Sequence, residues 1–410
     1  MRLKEICDYI SRGTTPVYVD ESPYKVMNQA TFSKGWLDES NMRYTSKNAR
    51  EAQIKKGDLL MASTGGGVLG KVFFFDSDDT SFYADSHVSI LRNSKGKNLM
   101  KYLYYVFSIK YDEINATMVK GSTNQTELQR NYLLAYEMDI PSLSKQQRIV
   151  DYLDARLGKI DARIAILEKQ QDAYTRLKKS VIHHAVTRGL DPNVSLKDSG
   201  IEWIGMIPEH WETKRIKDVV SDIFTGVSPV YEYENDNKNY VFGQRNNQDY
   251  GIDLEGIKYA KDDFFKTRLP KEFLKYGDVL LNTLGGGSVG RTGYYNIEDN
   301  IPIITDGHVM IIRSKTYNTR YMYYYLCSRK ERLEMMAIGS TNQAFFNISD
   351  IRIISLPMPS LDEQQTIASY LDDKCAKIDV AIANIGKQTD ALKRLKRSLI
   401  NEVITGQRAV

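Results

Sequence analysis

Two stretches of this chain, Ser144 to Thr187 and Asp362 to Thr405, place apolar residues at alternating steps of four and three in a background of Lys, Arg, Gln and Asp, with no Pro and few Gly. The first stripe runs Leu153, Leu157, Ile160, Ile164, Leu167, Gln171 and Tyr174; the second runs Leu371, Cys375, Ile378, Ile382, Ile385, Thr389 and Leu392. This is the a/d spacing of a coiled coil, and it predicts one long helix per stretch. Pro141 and Pro359 mark the entries, with Ser144 and Asp362 as expected N-caps. Each stripe carries one polar interruption, Gln171 and its counterpart Thr389, of the kind that fixes register at some cost in stability. About 44 residues at 1.5 Å rise make a rod of about 65 Å, longer than a single domain needs, so the helices are expected to pair with each other.

Ahead of each of these stretches the texture is one of short β-type runs (in the first half Asp58 to Ala62, Val72 to Phe75, His87 to Arg92), Gly/Asn/Asp turns and one aromatic helical stretch at Met100 to Ile114. This globular block is written twice. Arg2-Leu-Lys-Glu-Ile returns as Arg215-Ile-Lys-Asp-Val, Gly13 to Tyr18 (GTTPVY) as Gly226 to Tyr231 (GVSPVY), and Gly57-Asp-Leu-Leu as Gly277-Asp-Val-Leu. Gly65-Gly-Gly returns as Gly285-Gly-Gly, Asp85-Ser-His-Val as Asp306-Gly-His-Val, and GSTNQ at Gly121 to Gln125 recurs letter for letter at Gly339 to Gln343. A collinear series of this kind fixes the architecture before any single element is assigned.

The expected fold is α+β: two similar mixed α/β domains separated by two long antiparallel helices that form a coiled coil, with internal pseudo-two-fold symmetry. The boundaries follow as a first head at 1–143, a first spacer helix at 144–189, a linker (from GLDPNVSLKDSG) and second head at 190–361, and a second spacer helix at 362–410. Two heads held at the ends of rods form a caliper, and duplex DNA is the usual object with readable sites a fixed axial distance apart.

The arrangement resembles the specificity subunit of type I restriction-modification systems over essentially the whole chain. The resemblance is carried by GDLL…GGGVLGK and GDVL…GGGSVGR, the two GSTNQ elements, PSLSKQQRIVDYLDARLGKID and PSLDEQQTIASYLDDKCAKID at the helix entries, and SGIEWIGMIPEHW at Ser199 to Trp211. It implies two target-recognition domains, each reading one half of a split, asymmetric sequence in double-stranded DNA. It further implies that the helices space them and dock two modification (methyltransferase) subunits, which translocating restriction subunits would join. No cofactor is then expected on this chain, because S-adenosylmethionine would bind the partner methyltransferase. One departure is that no IPEHW-like lead precedes the first head, which begins almost at once with MRLKEI, as a shortened or unusually started chain would.

Composition narrows the chemistry. With 56 Lys+Arg against 52 Asp+Glu the net charge is only +4, so attraction to nucleic acid must be judged locally. The start has no signal-like apolar core, and no apolar run approaches membrane-spanning length, so a cytoplasmic protein with no membrane partner is expected. Cys7, Cys327 and Cys375 are isolated, which suits free thiols and implies no metal. Gly65 to Gly70 and Gly285 to Gly290 both fit G-x-G-x-x-G, but KVFFF and RTGYY follow where a dinucleotide site needs a helix, so a tight β connection is expected. No Asn/Asp-Pro-Pro-Tyr/Phe motif or nuclease carboxylate cluster is recognisable, and His87 and His308 lack a nucleophile at a diagnostic spacing. No catalytic residue is assigned. The aromatic stretches Tyr102 to Phe107 and Tyr321 to Tyr325 have core spacing, His183 and His184 are expected at the surface, and Lys178-Lys179 and Lys393 to Arg397 are expected on solvated helix faces.

A duplicated reader separates scaffold from specificity, because side chains common to both heads cannot carry a difference between half-sites. Lys71 with Arg291, and Ser122, Thr123, Asn124 with Ser340, Thr341, Asn342, are therefore candidates for phosphate positioning or scaffold. Base readout is expected where the halves diverge: Asn28, Lys34, Arg43, Lys47 and Asn48 in the first head, and Arg245, Asn246, Asn247, Gln248, Lys258 and Arg268 in the second. Arg and Lys donate to guanine, while Asn and Gln pair bidentately with adenine. A catalytic subunit with an unrecognised site and a protein-binding scaffold are the rival readings.

Overall fold

The computed structural model describes residues 1–46, 50–94, 97–120, 126–232, 238–249, 251–298, 301–339 and 344–410. The chain divides into two units, Met1–Glu168 with Lys387–Val410, and Lys169–Gly386.

In the first unit, β1 (Tyr9–Arg12), β5 (Leu59–Ala62), β6 (Val72–Phe74) and β8 (Val88–Arg92) form an antiparallel sheet in the order β1-β8-β5-β6. Strand β5 is buried on both faces, and its alternation sorts the core. Leu59 and Met61 join the cluster of Met100, Leu103 and Phe107 from α1 (Lys97–Ser108), while Leu60 and Ala62 join Met27, Phe32, Phe75 and Ile90. Each such buried side chain stabilises by about 1.5–3 kcal/mol. The second sheet holds β2 (Tyr18–Val19), β3 (Lys25–Met27), β4 (Arg43–Thr45) and β7 (Phe82–Ala84) in the order β2-β4-β3-β7, with β3 and β7 parallel.

The second unit repeats this strand for strand. Its first sheet is β9 (Asp222–Thr225), β13 (Val279–Asn282), β14 (Thr292–Tyr294) and β16 (Val309–Arg313), ordered β9-β16-β13-β14. Its second sheet is β10 (Tyr231–Glu232), β11 (Tyr240–Phe242), β12 (Lys258–Ala260) and β15 (Ile303–Thr305), ordered β10-β12-β11-β15. The repeat extends to buried chemistry. Arg92 at the end of β8 makes a two-pronged ion pair with Asp58 at 2.6 and 2.7 Å, and Arg313 at the end of β16 does the same with Asp278 at 2.7 Å. Gly13 and Gly226 lie so close to the neighbouring strand that a Cβ would stand 2.1 Å from the Ala84 oxygen and 2.2 Å from the Asp306 oxygen. Both glycine turns follow a buried strand and lead into another, and Gly65, Gly67 and Gly70 all have left-handed φ, so the segment is a turn between antiparallel strands.

The aromatic stretches pack as core. Tyr102, Tyr105, Tyr321, Tyr324 and Tyr325 are buried on α1 and on α3 (Thr319–Ser328). The helix expected to reach Ile114 stops at Ser108, whose hydroxyl donates to the Tyr105 carbonyl, and a separate turn of helix runs Tyr111–Thr117. In both units this aromatic helix is tied to a long helix through one carboxylate. Asp154 accepts from Tyr105 and pairs with Lys101 at 2.7 Å, while Asp372 accepts from Tyr324 at 2.7 Å and pairs with Arg320 at 2.6 Å.

The long helices are α2 (Leu143–Arg188) and α4 (Leu361–Ile404). Each begins one residue earlier than expected, and the caps are Ser142 and Ser360 rather than Ser144 and Asp362. The Ser360 hydroxyl accepts from Glu363 N at 3.2 Å, while the Glu363 carboxylate accepts from Ser360 N at 3.1 Å, a reciprocal cap. A buried glutamine folds back on each entry proline, Gln146 to the Pro141 oxygen at 2.7 Å and Gln364 to the Pro359 oxygen at 2.9 Å.

Within each unit the start of one helix lies against the end of the other. In the first, Ile149, Val150, Leu153 and Leu157 of α2 share a core with Leu399, Ile400 and Val403 of α4, and Lys396 and Lys393 pair with Asp161 and Glu168. In the second, Ile182, Ala185 and Val186 meet Ile367, Ala368, Leu371 and Cys375, and Lys178 pairs with Asp379 at 2.7 Å. The pairing is antiparallel, as the stripes predict, and each stripe also packs on its own head. The lysines expected on solvated faces make interhelical or helix-to-head ion pairs at Lys178, Lys179, Lys393 and Lys396. Leu153, Leu167, Leu371, Ile378 and Ile385 are buried and Ile160, Ile164 and Ile382 half-buried, but Tyr174 is 38% exposed.

No described helix is long and apolar enough to cross a membrane, and no described group of three His, Cys, Asp or Glu could hold a metal. The three cysteines are free thiols.

Candidate nucleic-acid interface

The second sheet of each head presents a short outer strand, β2 or β10, whose side chains are exposed: Tyr18 at 44% and Tyr231 at 42%. Arg43 opens β4 with its guanidinium carbon 5.1 Å from the Tyr18 ring centroid. Lys258 opens β12 with its ammonium 4.7 Å from the Tyr231 ring centroid. Two residues taken from diverging segments thus occupy the same place in the two heads.

The other readout candidates divide by what their polar atoms already do. Asn28 caps the 3₁₀ turn Gln29–Thr31, its side-chain oxygen accepting from Ala30 N at 2.8 Å and Thr31 N at 3.2 Å. Lys34 is exposed but pairs with Asp38 at 2.7 Å, and that ammonium, with Ser40, holds the Asp38 carboxyl down at about 2. Arg245 is exposed on the turn Gln244–Asn246. Arg268 lies over the Phe264 ring at 4.3 Å and donates from Nε to the Phe264 carbonyl at 3.2 Å. Gln248 donates to the Arg245 carbonyl and accepts from Arg291.

Asn246 and Asn247 depart from expectation, because both are buried with their amides committed inside the head. Asn246 accepts from Gly243 N at 3.0 Å and donates to the Asp253 carbonyl at 2.9 Å. Asn247 donates to Asn282 Oδ1 at 3.0 Å and to the Arg291 carbonyl at 3.1 Å. Freeing either would leave buried partners unsatisfied, so both amides hold the loop that displays Arg245. Arg291 likewise braces this loop, donating to the Asn247 carbonyl at 3.3 Å and the Gly287 carbonyl at 3.1 Å and pairing with Asp249 at 3.6 Å. Its counterpart Lys71 is half-buried at the entry to β6 and forms no ion pair among the described residues. Lys47, Asn48, Ser122, Thr123, Asn124, Ser340, Thr341 and Asn342 lie outside the described residues.

The chain just beyond each GSTNQ element returns beside the glycine turn, through Leu128 N to the Ser63 carbonyl at 2.8 Å and Gly285 N to the Ala344 carbonyl at 2.9 Å. His87 and His308 stand at the same corner, their backbone carbonyls accepting from Ser63 N and Thr283 N. Asp85 and Asp306 accept from the backbone N–H of these histidines at 2.8 and 2.9 Å, not from the rings, which is a structural use. Burial pushes both carboxyls above the ordinary carboxylate range. The sequence pattern missed Tyr18 and Tyr231 as partners of the cations, although the repeated Pro-Val-Tyr at the ends of GTTPVY and GVSPVY marked them.

Comparisons with known proteins agree with this architecture. The family model for the type I restriction modification DNA specificity domain matches residues 1–173 and again 208–387. The MjaVIII specificity subunit of a type I restriction enzyme from Methanocaldococcus jannaschii is 24% identical over 416 residues, spanning 99% of this chain and 92% of that protein. The EcoBI specificity subunit from Escherichia coli is 20% identical over 317 residues, 75% of this chain and 65% of that one. A chain solved in work on complex assembly and conformational transition of the type I R-M system superposes with a TM-score of 0.68 at 18% identity, covering 98% of this chain and 96% of that chain, a likeness of fold. With both heads matched and the duplication visible strand by strand, the chain belongs to the type I restriction-modification specificity family and carries that family's DNA specificity domain twice.

Proposed function

We propose that each head reads one half of a bipartite, asymmetric target in double-stranded DNA, that the paired helices α2 and α4 set the unspecified gap, and that the chain docks two methyltransferase subunits and, through them, restriction subunits. Methyl transfer and S-adenosylmethionine belong to the partners in this reading, and the chain works in the cytoplasm beside its DNA. The observation that carries it is the repeat of both sheets in the same strand order with different side chains on the exposed positions, which is what two readers of unlike half-sites need. The study of the solved relative as part of type I R-M complex assembly supports partner docking.

The test is an exchange of residues 1–143 for the equivalent head of another family member, followed by sequencing of methylated adenines in cells that also carry the modification subunit. One half of the recognised sequence is expected to change and the other half and the gap to persist. A change in both halves, or in neither, would end the modular reading.

A further inference from the structure

We infer that Arg43 on Tyr18 and Lys258 on Tyr231 are the equivalent base-reading contacts of the two heads, each deciding one base pair of its own half-site. The inference rests on the proposed reading of half-sites and names where that reading is done. Strand register establishes the equivalence. Tyr18 pairs with Thr45 and Tyr231 with Ala260, and in each case the cation lies two residues earlier on the partner strand, on the same face of the sheet. The two sheets have the same strand order, so one site is present twice.

Arg245 is exposed, and Lys71 makes no ion pair among the described residues, but Arg43 and Lys258 are exposed cations on the same ring position in both heads. Lys34 pairs with Asp38, Arg268 lies 3.8 Å from Glu272, and Arg291 lies 3.6 Å from Asp249, whose carboxylate is shared with Lys330 at 2.8 Å. Arg43 and Lys258 are exposed, and neither forms an ion pair among the described residues. Each rests on an aromatic face, which limits its rotamers and orients its donors before DNA arrives. The ring is common to both heads and the cation differs. A guanidinium offers two parallel N–H donors that match guanine O6 and N7, whereas an ammonium is a point donor with looser geometry. Both cations can donate to guanine O6 and N7, so the two heads share this platform and differ in how strictly the position is held.

The experiment uses the full chain in complex with its modification subunits, binding duplexes that carry the methylation target and every single-base substitution of it. Arg43→Ala is expected to reduce discrimination at one base pair of one half-site by about 5- to 150-fold, equivalent to about 1–3 kcal/mol, with the other half-site read as before. Lys258→Ala is expected to do the same in the opposite half, while Tyr18→Phe, which keeps the ring, retains discrimination. The untouched half-site reports that each variant is folded. A loss equal at all sequences, with a salt dependence shallower by about one unit, would make these residues phosphate contacts and overturn the inference. Unaltered discrimination in both alanine variants overturns it too. If the unmodified complex showed no bipartite target, the proposed function itself would fail, an outcome distinct from variants that leave a clear bipartite target unchanged.

Discussion

Removing Asp58 should unseat the first head while sparing the second. The Asp58 side chain is 1% exposed and that of Arg92 16%, and they meet through two charged hydrogen bonds at 2.6 and 2.7 Å. Asp58 also accepts from Lys55 N at 2.7 Å, so Asp58→Ala strands a mostly buried guanidinium and a backbone donor together. Breaking one side of a buried pair costs about 3–5 kcal/mol. Arg92 keeps the Gln53 carbonyl at 2.9 Å and the Tyr9 ring at 5.1 Å, which places the expected cost near the lower end, about 3 kcal/mol. Adding Arg92→Met removes the stranded charge, so the double variant should be more stable than Asp58→Ala alone by about 1–2 kcal/mol. A chain of two units is not a two-state unfolder, so the measurement is hydrogen exchange resolved by peptide. Amides of β5 and β8 should lose protection, while those of β13 and β16, held by Asp278 and Arg313, should not. A cost under about 1 kcal/mol, equal loss in both units, or a double variant weaker than the single would each refute the reasoning.

Gly226→Ala places a methyl 2.2 Å from the Asp306 carbonyl oxygen, so the backbone must move and the second unit should lose about 2–3 kcal/mol, read as a lower melting temperature; an unchanged melt would contradict the close approach. Thr389 is buried with no partner for its hydroxyl among the described residues, so Thr389→Val should raise stability by about 1 kcal/mol in chemical denaturation of the first unit. Burial pushes the Cys7 thiol up to about 12 and that of Cys375 to about 11. At pH 8 both are therefore almost wholly protonated, and an alkylating reagent should modify them only as fast as their units open, whereas rapid labelling of the native chain would exclude this burial.

What could be read from the chain depended on whether the determining partner was local or repeated. The duplication was visible because it is collinear, and the long helices because their period is local; each begins one residue ahead of the expected boundary, where Ser142 and Ser360 cap. The amide of Asn247 looks the same in sequence whether it faces solvent or closes a loop, and only the structure shows Asn282 and Arg291 on the other side. Cross-strand register is equally silent in sequence. Nothing near Arg43 announces that Tyr18 lies beneath it, and Lys178 finds Asp379 across 201 positions of chain.

The helix that closes the first unit comes from the far end of the polypeptide, since Leu399, Ile400 and Val403 cover Ile149, Val150, Leu153 and Leu157. During synthesis, the head made first therefore waits for Leu399, Ile400 and Val403 before its apolar flank is covered. A ribosome that stalls near Lys387 leaves that flank bare although the whole second unit has been translated, which makes incomplete chains targets for chaperones and proteases.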